Sequence, residues 1–272
     1  MIPKSKIIAC GAYLPEKILS NDELAKTVDT SDEWITERTG IKQRHIAAEQ
    51  ELTSDLAYQA ALAAIKNAKL QVEDIDVVIV ATTTPDNIFP STATKVQYKL
   101  GMQRGYAFDL QAVCSGFVYG LSVADSLIKT EQAKRVLVIG AETMSRIINW
   151  QDRNSCVLFG DGAGAVILAP SDDESGIVSS TLYSDGSHYE ILKTNGGPSL
   201  NGGHGTVEMA GKEVFKNAVN KMSSAVDAAL KKAELTIDDI DLLVPHQANV
   251  RILSAVAKKL GLDEEIDVIT VD

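Results

Sequence analysis

Leu70-Gln71-Val72-Glu73-Asp74-Ile75-Asp76-Val77-Val78-Ile79-Val80 and, much later in the chain, Leu235-Thr236-Ile237-Asp238-Asp239-Ile240-Asp241-Leu242-Leu243-Val244 are two copies of one pattern. Each follows an alanine-rich stretch with apolar residues at helical spacing, Asp55 to Lys69 and Val214 to Ala233. Each precedes a second helical stretch that stops at a glycine, Lys99-Leu100-Gly101 and Lys259-Leu260-Gly261. The chain reads as internally duplicated. Val77 to Val80, Val136 to Ile139 and Leu242 to Val244 are apolar throughout, as strands are when helices cover both faces of a sheet. Strands alternating with helices predict an α/β fold with mainly parallel pairing, built as two similar packed halves, residues 1–172 and 173–272.

The duplication also predicts that the second half is incomplete. In the first half the strand Tyr106 to Leu110 leads into Cys114, a helix and the strand Arg135 to Ala141. Its counterpart in the second half, Asp267 to Val271, is followed only by Asp272.

The 272 residues are 45% hydrophobic and 23% charged without a low-complexity tract, which places the chain among ordinary globular proteins. A net charge of -11 disfavours nucleic acid as a partner, since phosphate binding needs clustered Lys and Arg. The charge is uneven, however: residues 212–259 hold eight basic and six acidic side chains. Three widely spaced cysteines, Cys10, Cys114 and Cys156, form no C-x-x-C pair, which argues against a disulfide framework or a zinc site and fits a reducing cytoplasm. Ile7 to Cys10 is too short for a signal peptide, and no apolar run approaches the roughly 18 residues of a membrane span. Ile7 to Tyr13 is expected to be a core strand closed by Leu14-Pro15.

Cys114 stands where the expected buried strand Tyr106 to Leu110 gives way to a helix beginning near Ser115. Free N–H groups and the partial positive charge of a helix N-terminus favour thiolate, and can lower a cysteine pKa from about 8.5 to about 3.5–7.5. A nucleophile is one reading; a small buried hydrophobe is the other. His246, in Val244-Pro245-His246-Gln247-Ala248-Asn249, lies between an expected strand and the helix Val250 to Leu260, in the loop that corresponds to Thr82 to Phe89. Open α/β sheets place ligands at such carboxyl ends, and a cysteine with a histidine supplies an activated sulfur. A structural histidine ending a strand is the alternative. Phe159-Gly160-Asp161-Gly162-Ala163-Gly164-Ala165 lacks the Lys-Ser/Thr of a phosphate loop, and is expected to be a tight turn at Asp161-Gly162 joining two strands.

Asp32-Glu33-Trp34-Ile35 with Arg38-Thr39-Gly40-Ile41, Phe108-Asp109-Leu110 leading to Cys114-Ser115-Gly116-Phe117, the Phe159 to Ala165 motif, and Pro245-His246-Gln247-Ala248-Asn249 together resemble β-ketoacyl-acyl-carrier-protein synthase III over essentially the whole chain. The resemblance implies the thiolase-like fold, two duplicated halves in an α-β-α-β-α sandwich, and a homodimer. It implies an acyltransferase that starts fatty acid synthesis, with acyl-CoA and malonyl-acyl-carrier protein as substrates and no metal or other cofactor. Cys114 would be the nucleophile and His246 a stabiliser of the enolate formed on decarboxylation. Trp34, Arg38, Arg153 and Asn249 would contact coenzyme A, and Phe89 and Phe159 would border the acyl pocket, Phe89 reaching it from the partner subunit. The family's catalytic asparagine, and a glycine-rich segment completing the oxyanion hole, would follow Asp272. Lys212 and Lys216, and Arg251, Lys258 and Lys259, each share a helix face in the one locally basic stretch, and are candidates to dock the carrier protein. Rival readings are another acyl-CoA-condensing enzyme of the thiolase superfamily, or an impaired fragment that only binds coenzyme A or carrier protein.

Overall fold

In the computed structural model, which describes residues 4–262, the elements run β1 (Ser5–Tyr13), β2 (Lys17–Ser20), α1 (Asn21–Leu24), α2 (Asp32–Thr39), β3 (Gln43–Ile46), α3 (Thr53–Asn67), β4 (Val77–Ala81) and α4 (Thr92–Leu100). The chain continues through β5 (Tyr106–Leu110), α5 (Gly116–Lys129), β6 (Val136–Thr143), α6 (Arg153–Cys156) and β7 (Asp161–Pro170). It then forms β8 (Leu192–Thr194), β9 (Val207–Met209), α7 (Gly211–Ala233) and α8 (Val250–Leu260). Two compact units emerge. One holds Met1–Lys17, His45–Met144 and Gly160–Ser180; the other holds Ile18–Arg44, Ser145–Phe159 and Thr181–Asp272.

The first unit is organised by the apolar runs of β4 and β6, which pair in parallel at the centre of a five-stranded sheet of order β1-β7-β6-β4-β5. Alternate residues face opposite sides. Val78, Val80, Leu137 and Ile139 pack with Ile167 beneath Leu56, Ala57, Ala60 and Ala64 of α3 and Val96 of α4. Val77, Ile79, Val136 and Val138 pack on the other side with Leu168 against Ala124 and Ile128 of α5. Each of these branched side chains stabilises the fold by about 1.5–3 kcal/mol on burial, and helices on both faces explain why the strands carry no polar stripe.

The sheet is mixed rather than mainly parallel: β4 pairs in parallel with β5 and β6, while β7 is antiparallel to both β6 and β1. Asp161 to Ala165 is not the expected turn. The chain reverses before it, and the segment runs as the first half of β7, with Ala163 opposite both Ala141 and Tyr13. Ala163 and Ala165 lie in the α3 core, where small side chains suit the close-packed helix. The expected core strand Ile7 to Tyr13 forms but lies at the sheet edge, leaving Ile7 and Ile8 exposed. β5, at the opposite edge, is likewise only partly buried.

In the second unit, α7 and α8 form close to the residues expected for them. The strand expected at Leu242–Val244 does not. Leu242 and Val244 are exposed, and no ladder is formed by this segment among the described residues. A parallel strand needs a neighbour to take its N–H and C=O groups, and the anticipated neighbour, Asp267 to Val271, lies outside the described residues. The strands confined to this unit, β8 and β9, make a two-stranded antiparallel sheet.

Two glycines fix how α5 meets the sheet. A Cβ on Gly116 would lie 3.1 Å from the Ala81 Cβ, and one on Gly120 would lie 2.8 Å from Val138 Cγ1. The helix therefore rests with its backbone almost on β4 and β6, one turn beyond Cys114. Gly120→Val should destabilise the protein by about 2–3 kcal/mol through overpacking in chemical denaturation, and combination with Val138→Ala should cost less than the two single changes summed. Simple additivity would show that this contact does not set the helix height.

Candidate active site

The path from β5 to α5 carries the sulfur. β5 ends at Leu110, Val113 to Ser115 form a single 3-10 turn, and α5 begins at Gly116. Val113 has φ +47°, the left-handed region that a β-branched residue rarely enters and that costs of order 1–3 kcal/mol. Such strain presents the next residue at a sharp corner, and Cys114 is exposed there.

The expected acidification of the thiol is not found. Loss of surrounding water is the largest influence and pushes the Cys114 thiol up; the Cys114 N–H opposes this, and the Glu142 carboxylate adds to it. The residue as a whole is exposed, so water moderates the push. Cys114 also precedes the helix by a turn of different pitch, which weakens the alignment on which the N-terminal effect depends.

Glu142 is the functional candidate that the sequence reading passed over. It lies next to last in a strand that is apolar up to Ala141, which is its one visible signal. Its carboxylate accepts hydrogen bonds from the Thr83 N–H at 2.7 Å and from the Thr84 hydroxyl, with the Thr82 hydroxyl at 3.4 Å. Burial pushes it up to about 7 against those bonds. Phe89 lies further along the same loop and is 84% exposed, next to a cis bond to Pro90. Asp109, from the Phe108-Asp109-Leu110 motif, takes the Thr92 and Ala93 N–H groups at 2.7 Å and so anchors the start of α4.

The second unit holds the remaining candidates. His246 is exposed at the level of the residue, yet desolvation of its ring lowers its pKa, which favours neutral imidazole at pH 7. The neighbouring Gln247 donates to the Pro245 carbonyl at 3.2 Å, and its buried Oε1 has no hydrogen bond among the described residues. Asn249 has a structural use: its Oδ1 caps α8 through the Ile252 N–H at 3.0 Å. Trp34, Arg38 and Arg153 come together, the two guanidinium carbons lying 4.6 and 4.9 Å from the indole centroid. Ser31 caps α2 to place Trp34, and Arg153 also donates to the Asp29 carbonyl at 2.8 Å. A flat ring beside two cations is suited to an aromatic, anionic ligand. Phe159 is partly buried at the end of its segment. Lys212, Lys216, Arg251, Lys258 and Lys259 are all exposed, and Lys259 donates to Asn220 across α7 and α8 at 2.6 Å.

No group of three or more His, Cys, Asp or Glu side chains among the described residues could hold a metal, and no helix there is long and apolar enough to cross a membrane. The Glu142 environment makes a prediction. A carboxyl whose folded pKa is raised stabilises the fold below its ordinary range, and that contribution is lost as pH rises through about 7. The melting midpoint of Glu142→Gln should therefore gain on that of the wild type between pH 5 and pH 8, by a few degrees; a difference independent of pH would contradict the raised carboxyl.

Residues 108–186 match the family described as 3-oxoacyl-[acyl-carrier-protein] synthase III, and residues 230–272 match its C-terminal counterpart. The chain is 57% identical over 277 aligned residues to the β-ketoacyl-[acyl-carrier-protein] synthase III of Paramagnetospirillum magneticum, covering 100% of this chain and 86% of that protein. It is 58% identical to the enzyme of the same name from Wolbachia pipientis, covering 99% of this chain and 85% of the other. Among solved structures, the 3-oxoacyl-[acyl-carrier-protein] synthase III of Aquifex aeolicus superposes with a TM-score of 0.93 at 48% identity, over 98% of this chain and 84% of that one. The mixed α/β architecture is thus the thiolase-like fold, and the chain belongs to the β-ketoacyl-acyl-carrier-protein synthase III family.

Proposed function

We propose that this acyltransferase moves an acyl group, acetyl in the first instance, from coenzyme A to Cys114 and then condenses it with malonyl-acyl-carrier protein to begin a fatty acid. The observation that carries the reading is the strained corner at Val113 that presents Cys114 at the head of α5. The sulfur attacks the thioester carbonyl, the tetrahedral oxyanion collapses, and coenzyme A leaves as its thiol with the proton that Cys114 gives up. Loss of CO2 from the malonyl thioester leaves its electron pair as an enolate, which attacks the acyl-enzyme and returns the Cys114 thiol after protonation. His246, neutral at pH 7, is suited to donate a hydrogen bond to the enolate oxygen.

Trp34, Arg38 and Arg153 support a coenzyme A site, since an adenine ring can stack where a guanidinium now lies and the phosphates can pair with the cations. Asn249 would line the same channel from the start of α8, and Phe159 would border the acyl pocket. Phe89, with the neighbouring exposed Ile88 and the edge of β5, which is unpaired among the described residues, fits the interface of a homodimer in which Phe89 closes the partner's acyl pocket. Sedimentation equilibrium giving only monomer would exclude this arrangement. The cytoplasm is the compartment that supplies these substrates. The coenzyme A thioester is a substrate, and the chemistry proposed calls for no other cofactor.

Incubation with acetyl-CoA alone should place one acetyl group on the Cys114 peptide by mass spectrometry. Cys114→Ala should take none, and Trp34→Ala should acetylate about tenfold more slowly at low acetyl-CoA, the loss of a stacking contact of about 1.4 kcal/mol. Acetyl groups on other residues, or none, would reject the assignment. The exposed cations of α7 and α8 fit an acidic carrier protein. Arg251→Glu should raise the KM for malonyl-carrier protein, more so at low salt, without changing acetylation of Cys114; an unchanged KM would remove this face from the docking surface.

A further inference from the structure

Glu142 lies where two turns at the carboxyl end of the sheet meet. In the parallel ladder Ala81 is opposite Gly140, so the chain leaving β4 as Thr82-Thr83-Thr84 passes alongside Glu142 two residues on. Its carboxylate binds this turn through the Thr83 N–H and the Thr84 hydroxyl. The Thr83 hydroxyl in turn accepts from Gln111 Nε2 at 3.2 Å, and Gln111 opens the turn that passes through Val113 to Cys114. Behind it, the Thr143 N–H donates to the Thr84 hydroxyl at 2.9 Å, and Thr53 links the Thr84 carbonyl, at 2.6 Å, to the Thr143 hydroxyl, at 2.9 Å. Among the described residues Glu142 has no basic partner. A buried carboxylate held only by hydroxyls and an N–H is an expensive way to secure a loop, since a neutral side chain could accept the same N–H. What a neutral group would lack is the charge, which adds to the larger upward push that loss of water exerts on the Cys114 thiol.

We propose that Glu142 is a positioning residue for Cys114, tying the turn after β4, through Thr83 and Gln111, to the turn that carries the sulfur and setting its negative charge against the resting cysteine. The proposal rests on Cys114 being the nucleophile. Keeping the thiol protonated limits side reactions with oxidants and electrophiles until an acyl thioester is bound, while the strained corner keeps the sulfur aimed.

Alkylation of the full chain with iodoacetamide, followed at the Cys114 peptide across a range of pH, tests both parts. Glu142→Gln keeps an acceptor for the Thr83 N–H and removes the charge, so Cys114 should alkylate about threefold faster or more at pH 8, where the wild-type carboxyl is ionised, with the profile moved to lower pH. Glu142→Ala should lose acetyl transfer from acetyl-CoA by about tenfold or more, with Glu142→Gln restoring most of it. A profile for Glu142→Gln that overlays the wild type would overturn the proposal and leave Glu142 a purely structural residue, even if both variants melt earlier. Should the Ala variant not fold, the Gln profile alone decides. A wild-type Cys114 that alkylates but is never acetylated would instead overturn the nucleophile reading, and the positioning role with it.

Discussion

The close approach of α5 to the sheet is the constraint on which the rest of the candidate site depends. Gly116 over Ala81 and Gly120 over Val138 let the helix lie nearer the strands than any side chain would permit. The chain must climb from β5 to that height within a few residues, and it does so through the left-handed Val113 and a 3-10 turn. Cys114 is exposed at that corner because β4, β5 and β6 run parallel and end together, leaving three turns side by side. Thr82, Gln111 and Glu142 stand at the carboxyl ends of these strands and, with Thr83, hydrogen-bond into one cluster.

The electrostatics of the two catalytic candidates point the same way. Desolvation favours the neutral form of both, a thiol at Cys114 and an imidazole at His246. Neutral resting groups suit chemistry in which negative charge appears only during reaction, first on a thioester oxygen and then on an enolate, because donors already in place then gain strength as charge develops.

Much of this was legible in the sequence. The apolar runs of β4 and β6 could be strands covered on both faces, and the glycine stops after Leu100 and Leu260 fell at left-handed helix ends. The family resemblance named Trp34, Arg38 and Arg153 for one ligand, and the three side chains do lie together, a grouping that spacing alone could not have assembled. Other features were hidden for physical reasons. Asp161 to Ala165 has the composition of a turn, but its small residues serve a strand pressed under α3. Leu242 to Val244 has the composition of a strand, but pairing depends on a neighbour and not on its own side chains. The thiol was expected to be acidified because the nearness of a helix start can be read locally. The opposing carboxylate comes from β6, 28 residues further along the chain, and nothing in a linear reading places it there.

The central claim is that this chain joins an acyl group held on Cys114 to the carbon freed when malonyl-carrier protein loses CO2. A single-turnover reaction between isolated enzyme carrying isotopically labelled acetyl on Cys114 and unlabelled malonyl-carrier protein tests it directly. The account predicts that the label appears in 3-oxobutyryl-carrier protein as CO2 is released in equal amount. Label recovered as free acetate, or CO2 released without a labelled condensation product, would contradict it.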